Sequence, residues 1–122
     1  MKNLVFFLAL LCSTSLVAQF SFNENGTGIQ SSKNTASGDF STAMGEFTTA
    51  SSYASTAMGL YSTASGAHST AMGNGTTASG TNSTAMGYET EASGNASTAM
   101  GYFTTASGVV STAMGQYTTA SG

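Results

Sequence analysis

Charge, proline, tryptophan and cysteine are almost missing from this chain, and each absence removes a class of explanation. In 122 residues there are 2 Lys or Arg, 5 Asp or Glu, no Pro, no Trp and one Cys. So few cations exclude the basic patch that a nucleic acid needs, so no nucleic-acid partner is expected. Disorder usually accompanies high net charge, and a formal charge of −3 is too small for that. Large aliphatic residues thin out beyond the N-terminus, which rules out a conventional Leu/Ile/Val core. A single Cys forms no disulfide within the chain, and Cys12 sits in the apolar stretch near the start. A single His and scattered carboxylates offer no converging nucleophile, base or ligand set.

That stretch, Leu4 to Cys12, follows the positive Lys2 and precedes the small residue Ala18, the pattern of a secretory signal. It is too short to span a bilayer. We expect residues 1–18 to be a signal peptide and Cys12 to be discarded with it. A lipid anchor on Cys12 is disfavoured because Leu11 stands where a lipoprotein signal wants a small residue. Cleavage before Gln19 leaves Lys33 as the one cation against Glu24, Asp39, Glu46, Glu89 and Glu91, a balance of −4.

What is present is repetition. The string STAMG begins at Ser41, Ser55, Ser69, Ser83, Ser97 and Ser111, always 14 residues apart, with TASG-like strings between. Ala recurs at every seventh position from Ala36 to Ala120, and a Gly follows two residues after each, except at Ser52. The half-period imitates a heptad, but a Gly in each seven residues at ~1 kcal/mol apiece is incompatible with a coiled coil. Short strands satisfy the pattern. Each coil is then two strands and two turns, with Gly and the two variable residues after it making the corner. Coils in register about 4.8 Å apart build a parallel β-roll, an all-β solenoid ~30 Å long.

Alternation along the strands divides the residues between faces. Ser41, Ala43 and Gly45 are expected to point one way, Thr42 and Met44 the other. The Ala positions repeat in both strands of a coil, so Ala43, Ala50, Ala57, Ala64, Ala71, Ala78, Ala85, Ala92, Ala99, Ala106 and Ala113 should line a narrow interior. The outer faces differ. One carries Met44, Met58, Met72, Met86, Met100 and Met114, a continuous apolar stripe that an exported protein rarely leaves in water. At ~1.5–3 kcal/mol per fully buried Met, six could supply ~10–20 kcal/mol per chain, so self-association is expected, with an internal core ladder as the alternative. The other outer face carries Thr49, Thr63, Thr77, Thr105 and Thr119 beside a row of Ser, with Glu91 interrupting the Thr row.

These repeats resemble the head domain of YadA-like trimeric autotransporter adhesins over 34–122. Heads of that family carry a 14-residue unit of a small or Ser residue, an apolar residue, Ala, an apolar residue and Gly, then a second Ala-x-Gly half. STAMG and TASG occupy the two halves here, with Thr and Met where the family more often shows Val and Ile. The resemblance implies a left-handed roll, a homotrimer and an adhesive role toward extracellular-matrix or other surface ligands. It also implies an exported protein at the cell surface or outer membrane. Nothing after the repeats resembles the family's coiled-coil stalk or barrel, so membrane attachment is expected only through an anchor absent from this chain. The repeats look cut short at Gly122, and residues 19–33, with Phe20, Phe22 and Ile29, form a candidate lead-in or cap.

No catalytic site, cofactor site or metal site is expected. His68 falls in a turn with no second His, and Asp39 alone does not make a calcium repeat. Asn25, Asn74, Asn82 and Asn95 each open an N-x-[ST] string, which a Ser or Thr at every seventh position generates by itself. The variable turn residues Phe47, Tyr53, Tyr61, Tyr88, Tyr102, Phe103 and Tyr117 are where ligand contacts can vary, or they shield the corners. The leading reading is a non-catalytic adhesin head. An ice-binding face of Thr and Ser, or a passive spacer, are its alternatives.

Overall fold

A computed structural model describes residues 21–22 and 26–122. The expected signal segment, residues 1–18, and Phe20 lie outside the described residues. The 14-residue period becomes a parallel β-solenoid, with no helix among the described residues. Five-residue strands Thr42–Glu46, Thr56–Leu60, Thr70–Asn74, Thr84–Tyr88, Thr98–Tyr102 and Thr112–Gln116 stack into one sheet. Two-residue strands from Thr35–Ala36 to Thr119–Ala120 stack into a second, 7-stranded sheet. From Thr42 onward the pairings in this sheet join positions 14 residues apart, so that Thr42 lies opposite Thr56, Ala43 opposite Ala57 and Met44 opposite Met58. The first sheet is extended by a short antiparallel pair, Ser21–Phe22 with Ile29–Gln30, whose second strand pairs with Thr42–Glu46. Ile29 is exposed there, while Gln30 Oε1 accepts a hydrogen bond from the Ala36 N–H at 2.8 Å.

The interior holds two kinds of row. Ala36 and each seventh residue on to Ala106 have no exposed surface, and Ala113 has 3%. Beside them the residue two positions earlier is also buried: Ser41, Thr48, Ser55, Ser62, Ser69, Thr76 and onward to Ser111. A core of methyls and hydroxyls lets the two sheets approach closely, and its polar atoms need partners. Ser41 donates to the Gly38 carbonyl at 2.6 Å, Ser55 to that of Ser52 at 2.8 Å, and Ser62 to that of Gly73 at 3.1 Å. Ser69, Ser83, Ser97 and Ser111, unpaired in this conformation, stand three residues after Gly66, Gly80, Gly94 and Gly108 as Ser41 stands after Gly38. One χ1 rotation therefore offers each the partner that Ser41 uses.

Asn34 ends the hydroxyl row, 14 residues before Thr48. Its Nδ2 donates to the Gly45 carbonyl at 3.0 Å and to the Ser31 hydroxyl, and its Oδ1 accepts from the Thr48 N–H at 3.0 Å. A longer polar side chain at this one coil thus satisfies backbone groups that a Thr would leave open.

The structure corrects two expectations about the glycines and corners. Gly45 does not join Ser41 and Ala43 on the inner face. With its repeats it is largely exposed and has φ between 109° and 137°, and a Cβ on Gly45 would lie 2.0 Å from the Gly59 carbonyl oxygen. The second correction concerns the corner itself. Its left-handed turn residue is not Gly but the second variable residue, at Phe40, Phe47, Ala54, Tyr61, His68 and every seventh position to Tyr117, with φ of 49–58° for those that are not Gly. The turn is fixed from the neighbouring coil, because the N–H of this residue donates upstream, as Tyr61 does to Glu46 and Phe103 to Tyr88.

Candidate functional site

The outer face of the long-strand sheet carries Thr42, Met44 and their repeats in register. Met44, Met58, Met72, Met86 and Met100 are partly covered by their neighbours in the row, whereas Met114 is 60% exposed. The transfer energy left for a partner is therefore below the ~10–20 kcal/mol reckoned for six fully exposed Met. The face remains apolar and regular. On the opposite sheet Thr77 lies across from Glu91, and Glu91 from Thr105, so one carboxylate breaks the Thr row.

The corner after each STAMG holds two columns that run along the stack. One is the strand-end column Glu46, Leu60, Asn74, Tyr88, Tyr102, Gln116; the other is the left-handed column Phe47, Tyr61, Gly75, Glu89, Phe103, Tyr117. Within columns the rings stack almost parallel: Phe47 on Tyr61 at 5.3 Å, Tyr88 on Tyr102 at 5.1 Å, Phe103 on Tyr117 at 5.5 Å. Between columns they meet edge to face, Tyr102 and Phe103 at 4.7 Å. Removal from water among these rings, with Tyr117 and Tyr88 adding to it, raises the Tyr102 phenol above its ordinary value of 10.0. At the other corner Phe40, Tyr53 and His68 form a shorter edge-to-face series at 5.6 and 5.4 Å.

Lys33 stands 14 residues before Phe47 but is not among the left-handed residues of that column. Its Nζ lies 2.7 Å from Glu46 Oε1 and 5.6 Å from the centre of the Phe47 ring. The hydrogen bond and charge of Glu46 raise the Lys33 pKa above its usual 10.5.

Of the residues singled out in the sequence, the eleven Ala from Ala43 to Ala113 lie in the interior, the Met row on an outer face, and the aromatic residues at the corners. No group of three or more His, Cys, Asp or Glu able to hold a metal occurs among the described residues. No helix among them is long and apolar enough to cross a membrane. The left-handed column went unforeseen, although its spacing was visible: Phe47, Tyr61, Phe103 and Tyr117 fall in one 14-residue register.

Parallel coils of 14 residues, a small-residue interior and variable corners define a repeat solenoid. The YadA head domain repeat, in units of two copies, matches residues 36–62, 50–76, 64–90, 78–104, 92–118 and 106–122, and the chain belongs to that family. No curated protein matches the chain.

Proposed function

We propose that this chain is the head module of an exported, trimeric surface adhesin, non-catalytic, which binds matrix or other surface ligands through its exposed faces and corners. Heads of the family are adhesin-type modules. The observation that supports the reading most directly is the in-register Met row on an outer face whose sheet is already filled on its inner side by Ala. Three copies around a common axis give that row a dry neighbour, and Met adapts to such contacts. The variable corner residues then face outward on all three copies.

The test is solution mass by light scattering, paired with adhesion to immobilised matrix protein. The wild type should be a trimer that adheres. Met86→Asp, which places a charge in the middle of the row, should dissociate it and abolish adhesion. A folded wild-type monomer would refute the Met interface. A trimer that adheres to nothing would leave the rod as a spacer.

A further inference from the structure

We infer that the methionine row is a binding site for soft univalent cations, Cu(I) or Ag(I), each held between the thioethers of two consecutive coils. All the sulfur among the described residues stands in this one row: Met44, Met58, Met72, Met86, Met100 and Met114. The strands that carry it pair in register, Met44 with Met58 and so on to Met100 with Met114, so every thioether has another one strand away. Neighbouring strands lie about 4.8 Å apart. A metal–sulfur bond is ~2.3 Å. The strand spacing is thus close to twice the bond, and two sulfurs in like rotamers stand at the separation that an ion midway between them requires. A filled d shell imposes no geometry of its own, and the univalent ions Cu(I) and Ag(I) accept two donors in line. From Met44 to Met100 the side chains are half-buried, so the row is fixed from beneath by the sheet and open on its outer side in the single chain.

The surroundings select the class of ion. Thioethers favour Cu(I), whereas carboxylates, carbonyls and water favour Mg, Ca or Mn. Thr42 and its repeats flank the row with neutral hydroxyls. Glu46, the one acid among the strand ends that follow the Met positions in this sheet, is engaged by Lys33 at 2.7 Å. The donor is specific to Met, since Leu fills a similar volume and offers no lone pair. Both donors of each ion come from one chain, so the inference goes beyond the adhesin head and does not depend on the trimer.

The probe is Ag(I) as its nitrate in chloride-free buffer, titrated against the full chain in a Cys12→Ser background so that no thiol competes. It is added both before and after refolding, so that association of copies does not bar it from the row. Binding is read from the Met methyl signals by NMR, and molecular mass by light scattering. The methyl signals of the row should shift saturably with Ag(I) and stay unmoved by Zn(II). Two triple variants then hold equal sulfur in different order. Met86→Leu with Met100→Leu and Met114→Leu leaves Met44, Met58 and Met72 on consecutive coils and should keep tight binding. Met58→Leu with Met86→Leu and Met114→Leu leaves Met44, Met72 and Met100 each a coil apart from the next, and should bind about a hundred-fold more weakly, the scale by which two linked contacts exceed one. No saturable binding by the parent chain overturns the inference, as does equal affinity in the two variants. Should either triple variant fail to fold, Met58→Leu decides alone. Met44 then has no adjacent thioether, so its methyl should cease to respond while those of Met86 and Met100 respond as before; a Met44 that still responds overturns the inference. A monomer that binds Ag(I) with this dependence on order supports the row and refutes the trimeric head, whereas a trimer that binds none supports the head and overturns the row.

Discussion

Adding one methyl group to the glycine rows tests the stacking in a way that separates contact from backbone strain. Gly80 and Gly87 both abut the next coil: a Cβ would lie 2.0 Å from the carbonyl oxygen of Gly94 in the first case and of Gly101 in the second. They differ in conformation. Gly87 has φ of 125°, whereas Gly80 has no positive φ. Ala at Gly80 must therefore push two coils apart, an overpacking penalty of ~1–3 kcal/mol. Ala at Gly87 meets the same contact and adds backbone strain of ~1–3 kcal/mol, giving ~2–6 kcal/mol in total.

The assay is urea denaturation of both variants beside the wild type at one protein concentration, because any self-association makes apparent stability concentration-dependent. Gly87→Ala should unfold at clearly lower urea than Gly80→Ala, and both below the wild type. Equal losses would mean that the positive φ carries no strain of its own. Losses below ~0.5 kcal/mol, the size of an ordinary surface change, would mean that coil-to-coil contact is far looser than the 2.0 Å approach implies.

Three further outcomes follow from individual sites. Ser52 stands in the Gly38 and Gly66 row, and its N–H donates to the Ser55 hydroxyl at 3.3 Å where the Gly38 and Gly66 N–H groups reach Ala50 and Ala78 carbonyls. Ser52→Gly should restore the regular bond and stabilise by ~0.5–1 kcal/mol, read by thermal unfolding; destabilisation would show that the irregular coil is better as it is. Asn34→Ala removes three hydrogen bonds and strands the Thr48 N–H, so ~1–3 kcal/mol should be lost and hydrogen exchange at Thr48 should accelerate; an unchanged Thr48 rate would refute the capping role. Raised pKa values at Lys33 and Tyr102 both favour the protonated folded form. Their contributions are complete at neutral pH and are lost as pH climbs through and above 10. Stability should be flat from pH 7 to 9 and decline beyond, with a shallower decline in Lys33→Met.

The architecture was legible because repetition overdetermines it. A Gly every seventh residue removed the helix, and the coincidence of Ala in both half-periods with the Met/Ser difference between them assigned inner and outer faces. The buried status of Thr48, Thr76, Thr90 and Thr104 was harder to see. Thr49, Thr77 and Thr105 follow immediately, and it is the two-residue alternation from Ala50, Ala78 and Ala106 that turns the first Thr of each pair inward, a step the expected interior of Ala alone left out. The corners resisted for a different reason. Sequence rules assign positive φ to Gly, Asn or Asp, yet here the turn is imposed by hydrogen bonds from the adjacent coil, which no local window of sequence contains.

That imposed geometry explains why aromatic residues gather where backbone preference would least place them. A left-handed non-Gly residue costs ~1–2 kcal/mol, and a ring pair returns ~0.5–1.5 kcal/mol. The magnitudes are close, so stacking of Phe47 with Tyr61 and of Phe103 with Tyr117 offsets much of the strain along the column. The offset requires a ring in the adjacent coil. A lone bulky residue in the column would bear the strain without the stack, which favours runs of rings separated by breaks rather than an even scatter. The column shows such runs, two rings on either side of Gly75 and Glu89. The interior of this solenoid tolerates little beyond Ala, Ser and Thr, so the variation able to distinguish one partner from another is confined to the outer faces and corners.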